Sequence, residues 1–291
     1  MTILVTAASG QLGRLVVESL LARGAEPSSI VAGARDTSKL ADAAARGIRT
    51  VELDYAKPDT IAAALEGVDT VLLISGSEVG QRIAQHRNVI EAAKAAGVAK
   101  LVYTSAPNAT TADYPLAPEH AATEAVIAET GIPAVILRNN WYIENYAADV
   151  ARAAETGVVS SSTGEGRIVG ATRADLADAA AVVLLEDGHL GQVYELSGDE
   201  AFTYADIAAA ASEVLGREVA YAPLTTEQQA AALEAAGLDA GTIGFVTSLD
   251  AGIAAGVLEV PTGGVSRLTG RPTTSLVDGL RAALATEAAA A

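Results

Sequence analysis

The chain contains no cysteine. That absence excludes a disulfide framework, thiol catalysis and cysteine-ligated zinc or iron–sulfur sites, and leaves redox chemistry to a bound organic cofactor or to histidine and carboxylate ligation. Cations are scarce as well. Against 36 Asp and Glu stand 19 Lys and Arg, a net charge of −17 over 291 residues. Such a chain repels phosphate backbones and offers no counterion-release term, so no nucleic acid partner is expected. The acidity itself reads as solubility. Long uncharged apolar runs are missing too: Ala-rich stretches such as "ADAAAVVLLEDG" meet a charge well before the ~18 residues that a membrane span requires, and no membrane partner is expected. The three histidines, His86, His120 and His189, lack ligand spacing, so no metal site is expected. No glycine precedes a lysine as in a Walker A loop, and G-x-S-x-G and H-E-x-x-H are both absent, which sets aside kinase and hydrolase readings. Met1 leads at once into the strand-like "TILV" without a basic leader or apolar segment, from which a cytoplasmic location is expected.

What is present alternates two periods. Apolar runs at 3–6 ("ILVT"), 30–34 ("IVAGA"), 50–53 ("TVEL"), 70–74 ("TVLLI"), 101–104 ("LVYT") and 134–138 ("AVILR") recur between Ala-rich stretches that carry charge at helical spacing. The rhythm is βαβαβα. Continuously apolar strands are those of a parallel sheet covered on both faces by helices, so the fold class is α/β. "ARG" (22–24) and "AAG" (95–97) end in glycine, as helix stops do. Beyond Arg138 the pattern loosens: "NNWYIENY" (139–146) holds the sole Trp, glycine-rich turns occupy 164–170, and a helix begins near Thr172. Strands are expected at 193–198 and 218–224, a capped helix at 203–216, and mostly helix thereafter.

The spacing Ala7-x-x-Gly10-x-x-Gly13 follows the first strand and opens a helix, the context a dinucleotide-binding turn requires. Gly10 lets backbone approach a pyrophosphate, Gly13 lets helix pack on strand, and the helix N-terminus directs amides and partial positive charge at phosphate. Ala7 stands where glycine is usual; its methyl is tolerated or strained according to its φ. The second strand ends "VAGARD". An Arg there suits a 2′-phosphate where Asp or Glu would bind ribose hydroxyls, so Arg35 points to NADPH, while Asp36 beside it leaves NADH open and a plain surface ion pair remains the alternative for Arg35.

Further segments carry a family resemblance: "LLISGSEVGQR" (72–82), "HRNVIEAAKAAGV" (86–98), "YTSAPNA" (103–109), "LAPEHAATE" (116–124), "LRNNWYIENY" (137–146), "ATRADLADAA" (171–180) and "RPTTSL" (271–276). Along its whole length the chain resembles the type 2 NADPH:quinone oxidoreductases, atypical short-chain dehydrogenases of the NmrA-like group near the triphenylmethane reductases. The resemblance implies a Rossmann-like doubly wound parallel sheet with a small, mostly helical C-terminal substrate region. It divides the chain into an NAD(P)-binding domain at 1–140 and a substrate region at 141–291 that partly returns to the main sheet. It further implies that Ala7, Ala8, Ser9, Gly10, Gln11 and Leu12 line the pyrophosphate and that Arg35 holds the 2′-phosphate. Ser75, Gly76 and Ser77 then flank the riboses, and Asn139, Asn140, Trp141, Tyr142, Ile143 and Glu144 border the nicotinamide and a small aromatic or quinone substrate. Arg173 is a further cofactor neighbour. The family commonly writes "TGATGQLG" where this chain has "TAASGQLG". A homodimer is compatible with the resemblance; the sequence fixes no oligomeric state.

The Tyr-x-x-x-Lys pair of conventional short-chain dehydrogenases is missing: Tyr103, Tyr114 and Tyr142 are followed four positions on by Pro107, Pro118 and Tyr146. A reduced ketone is an alkoxide nearly as basic as hydroxide and needs a positioned acid. The hydride adduct of a quinone is a phenolate with a pKa near 10, about that of tyrosine, which water protonates. The expected activity is therefore flavin-free, NADPH-dependent hydride transfer to quinones. Two alternatives stay open: a nonenzymatic NADP(H)-binding redox sensor, and a reductase of dyes, imines or activated carbonyls. Trp141 and Tyr142 read as an apolar platform or as core packing, Asn140 as a group that orients the carboxamide or a quinone oxygen, and His120 as an optional donor. Ser105, near the usual dehydrogenase serine, reads equally as a strand-end cap.

Overall fold

The structure, a computed structural model, describes residues 1–290. Its strands are β1 (Ile3–Val5), β2 (Ile30–Ala34), β3 (Arg49–Glu52), β4 (Thr70–Leu73), β5 (Lys100–Ser105), β6 (Ala134–Asn139), β7 (Val158–Ser161), β8 (Val193–Leu196) and β9 (Ala220–Pro223). The α-helices are α1 (Gln11–Ala22), α2 (Ala41–Ala45), α3 (Pro58–Ala64), α4 (Arg82–Ala95), α5 (Ala117–Thr130), α6 (Ala147–Thr156), α7 (Arg173–Leu185), α8 (Tyr204–Leu215), α9 (Thr226–Ala235), α10 (Ala240–Ala254), α11 (Gly264–Thr269) and α12 (Leu276–Ala290). They form two compact units. The first comprises residues 1–110, 118–139 and 173–196; the second comprises 111–117, 140–172 and 197–291. Among the described residues no helix is long and apolar enough to cross a membrane.

The first unit is a seven-stranded sheet in the order β3-β2-β1-β4-β5-β6-β8, parallel at every pairing. This is the doubly wound Rossmann order, in which succession reverses between β1 and β4 and opens a crevice beyond the carboxyl ends of those strands. The run of apolar residues in the central strands has its cause here. Ile3, Leu4 and Val5 of β1, Val71 and Leu72 of β4, and Leu101 and Val102 of β5 are all buried, because both faces of those strands are covered. The outer strands β3 and β8 expose Glu52 and Val193. On one face, Leu4, Val31, Val71 and Leu101 pack with Ile61, Ile90, Val126 and Ile127. Another anchor is α7, which packs on α1 and is joined to it by Arg23 and Asp178, 2.6 Å apart. Its C-terminus is closed from outside the helix: Nζ of buried Lys100 donates to the carbonyl oxygens of Val183, Leu184 and Glu186, which satisfies acceptors no intrahelical amide can reach.

The second unit is mostly helical. It also holds a parallel pair, β7 with β9. The expected strand at 218–224 is β9, but its partner "VVSS" was not legible: four residues, half exposed, carry too little alternation to register. Helix α8 starts one residue later than the sequence suggests, since Thr203 is its N-cap, forming a reciprocal capping box with Asp206. Packed in the same unit, buried Tyr146 meets Phe202 and Tyr204 edge to face, with ring centroids 6.0 and 5.5 Å apart.

Candidate functional site

The turn between β1 and α1 is built on backbone. Ala7 sits at φ +47°, in the left-handed region where an L-residue is strained. That conformation folds the chain so that Gly10 N–H donates to the Ala7 carbonyl oxygen at 2.9 Å and Ala8 N–H to that of Gly33 at 2.8 Å. Gly13 is obligatory for packing: a Cβ there would lie 2.3 Å from the Ala7 carbonyl oxygen. Helix α1 has no capping side chain and no acidic residue in its first turn, so its leading amides suit an anion. Ala7 and Ser9 are partly exposed, Gly10 and Gln11 exposed. Ala8 and Leu12, assigned to the pyrophosphate lining by resemblance, point inward and are buried; they back the turn from the core.

Arg35 follows β2 directly and is exposed. Its Nη1 donates to Oε1 of Glu78 at 2.7 Å, and Gln85 donates to Oε2 of the same carboxylate at 2.8 Å. Asp36 is otherwise engaged: Oδ1 accepts from the backbone amide and hydroxyl of Ser38, holding its carboxyl below the usual range and capping a short 3-10 turn. Of the two residues that follow β2, Asp36 is bonded within its own turn, whereas Arg35 reaches across to the loop after β4.

Glu78 belongs to the loop 74–81 after β4, which also contains half-buried Ser75 and Gly76 and exposed Ser77. This loop is tied down at nearly every step. Ile74 N–H donates to the Thr6 hydroxyl, Ser75 N–H to the Thr104 hydroxyl, and Gly76 N–H to Nε2 of His86 at 3.0 Å. Arg82, buried, donates from Nε to the Gly76 carbonyl oxygen at 2.7 Å and pairs with Glu119 at 3.0 Å, while Glu119 also accepts from Gly80 N–H. The Tyr55 hydroxyl donates to the Ile74 carbonyl oxygen at 2.8 Å. Sequence reasoning missed Arg82, Glu119 and Tyr55, whose roles come from tertiary partners alone.

His86, one of the three histidines without ligand spacing, is fully buried. Because Nε2 accepts from Gly76, the ring proton resides on Nδ1, which donates to the Thr123 hydroxyl at 3.0 Å. Burial, then the charges of His120 and Arg82, pushes its pKa down to about 3. His120 is equally buried and shares a 2.8 Å hydrogen bond with the Tyr103 hydroxyl. Burial and Arg82 push it down to about 3 as well, and burial raises the Tyr103 phenol. A neutral imidazole bonded to a raised phenol is a poor proton source near neutral pH, so the reading of His120 as an optional donor yields to one of packing and support. Ser105 donates to Glu124 at 2.6 Å. Glu124 in turn pairs with Arg138 at 2.6 Å, and Arg138 with Glu195 at 3.0 Å; Ser105 is a strand-end tie in this network.

At the end of β6, Asn139 keeps a buried side-chain oxygen without a hydrogen-bond partner. Arg173 is the first residue of α7 and partly exposed. In the second unit, Asn140 is buried with both ends of its amide engaged: Nδ2 donates to the Leu258 carbonyl oxygen at 3.1 Å, and Oδ1 accepts from Trp141 N–H at 2.7 Å. That holds the backbone at Trp141 and argues against Asn140 as a group oriented toward a ligand. Trp141, Tyr142 and Glu144 are partly exposed, whereas Ile143 is buried against Gly279, where a Cβ would come within 2.8 Å of it.

These features fit a phosphate-bearing dinucleotide: a turn on which Gly13 admits no side chain, an uncapped helix start, and a solvent-exposed guanidinium at the end of the second strand. The sequence profile of an NAD(P)H-binding family matches residues 7–187. The chain is 46% identical over 276 residues to quinone oxidoreductase 2 of Escherichia coli (strain K12), spanning 95% of this chain and 96% of that protein. The crystal structure of the E. coli NADPH-dependent quinone oxidoreductase complexed with NADPH matches with a TM-score of 0.92 at 45% identity, covering 96% of this chain and 98% of that one. The triphenylmethane reductase of Citrobacter sp. complexed with NADP(H) matches with a TM-score of 0.91 at 33% identity, covering 97% and 100%. With this near-complete coverage, the chain belongs to the NAD(P)H-binding, NmrA-like oxidoreductases, among the type 2 quinone oxidoreductases.

Proposed function

We propose that the protein is a flavin-free, NADPH-dependent reductase of quinones and similarly conjugated acceptors. The observation that carries this reading is the 46% identity to a quinone oxidoreductase over 95% of the chain. Ser9, Gly10 and Gln11 hold the pyrophosphate at the start of α1, Arg35 the 2′-phosphate, and Ser75 to Ser77 the riboses; Trp141, Tyr142 and Glu144 form the substrate-facing segment of the second unit. The cofactor supplies a hydride when bound. The chain's own part is positioning, for which the anchored loop after β4 is suited.

The state of the buried acids agrees with the acceptor class. Tyr103 and His120 are bonded to each other, and neither releases a proton readily at neutral pH. Two electrons and one proton delivered as hydride convert a quinone to a hydroquinone monoanion, whose remaining proton comes from water; an alkoxide would demand a side-chain acid. A cytoplasmic site of action belongs to the same proposal. The 33% identity to a triphenylmethane reductase favours triphenylmethane dyes as a second acceptor class.

Mixing the protein with NADPH and a panel of benzo- and naphthoquinones, and following nicotinamide absorbance, tests the proposal. Quinone-dependent oxidation well above the uncatalysed background is expected, with crystal violet as a second acceptor. Tight NADP+ binding without turnover on any acceptor overturns it in favour of a cofactor-binding sensor.

A further inference from the structure

The partner of Arg35 is an acid from elsewhere in the sheet. In the order β3-β2-β1-β4, the loops after β2 and β4 flank the end of β1, so the Arg35–Glu78 pair joins loops on either side of the strand that leads into the Ala7–Gly10 turn. We propose that Glu78 is an internal competitor for the 2′-phosphate and thereby sets the preference between NADPH and NADH. This inference rests on the NADPH reading above.

Three observations carry it. Glu78 presents to Arg35 what a 2′-phosphate presents, an anionic oxygen at 2.7 Å from Nη1. Its backbone is not free to drift: the loop is held by Thr6, Thr104, His86, Arg82 and Glu119, and Gln85 steadies the second carboxylate oxygen. The side chains remain 71% and 47% exposed, so the pair is weak and exchangeable, worth a factor of about two to five in an equilibrium. A phosphate monoester, with nearly two charges and three acceptor oxygens, displaces a carboxylate from a guanidinium. NADH brings a hydroxyl at that position and leaves the ion pair in place. Asp36 is turned to Ser38 through Oδ1 and does not pair with Arg35. Glu78 therefore taxes NADPH and spares NADH.

Calorimetric titration of NADP+ and NAD+ into the wild type, Glu78→Gln, Arg35→Leu and the double variant tests this. Glu78→Gln is expected to tighten NADP+ about two- to fivefold and leave NAD+ unchanged, and the gain is expected to vanish in the Arg35→Leu background. Unchanged or weakened NADP+ binding in Glu78→Gln overturns the proposal, as does an equal gain for NAD+, which makes the carboxylate a general obstruction. A wild type that binds neither nucleotide overturns the underlying cofactor reading instead.

Discussion

The Gly76 amide donates to Nε2 of His86 at 3.0 Å, so a backbone turn beside the proposed cofactor site depends on one imidazole staying unprotonated. The unfolded chain places no such demand. Between pH 6.5 and about 3 it binds protons that His86 and His120 refuse in the folded state. Stability is then complete above pH 6.5 and lost as the pH falls through that window.

Each histidine accounts for roughly 2 kcal/mol between pH 7 and 5. Asp149 and Asp250 offset part of this, since burial raises both carboxyls and folded carboxyls of that kind gain protons in acid. Urea unfolding at pH 7, 6 and 5 is expected to show a steep decline in the wild type. In His86→Gln, which keeps an acceptor but cannot be protonated, the decline is expected to be about half as steep. Parallel curves for the two proteins refute the assignment.

Ala7 holds φ +47° without being glycine. Relative to glycine, the left-handed alanine costs about 1 kcal/mol. Ala7→Gly is therefore expected to raise the unfolding free energy by about that amount, and to tighten NADP+ by removing a methyl from the phosphate turn. Ala7→Val is expected to lower stability by more, because β-branched residues tolerate that region least. An Ala7→Gly protein no more stable than the wild type in chemical denaturation sinks this prediction.

Arg138 neutralises Glu124 and Glu195, all three being largely buried. Arg138→Met leaves two carboxylates facing each other without their countercharge, at a loss of about 3–5 kcal/mol. The expected signature is a large drop in the denaturation midpoint at pH 7 that is partly recovered in the triple variant Arg138→Met/Glu124→Gln/Glu195→Gln, which removes the charges left without a partner. No recovery in the triple variant points to lost packing rather than charge.

Sheet and phosphate turn were legible because their signals are local: β1, β2, β4, β5 and β6 announce themselves as apolar runs, and Gly13 recurs at the spacing that close helix packing demands. What was illegible is long-range. Nothing near Arg35 announces Glu78, forty-three positions away, and His86 looks like any polar helix residue until the fold brings the Gly76 amide to it. Asn140, singled out for its chemistry, proved to be engaged by the Leu258 carbonyl more than a hundred residues on. Residue type suggested a function for it; only tertiary contacts revealed where its hydrogen-bonding capacity was spent.

The first unit receives α7 and β8 from residues 173–196, after the chain has left it at Asn139. During synthesis, the sheet waits with β6 as a raw edge until the second unit's residues 140–172 have passed, a row of open amides that invites mispairing. A chain cut at residue 140 never acquires its last strand. Chimeras with related reductases should accordingly exchange residues 111–117, 140–172 and 197–291 together, since a single crossover at the apparent border divides a folding unit.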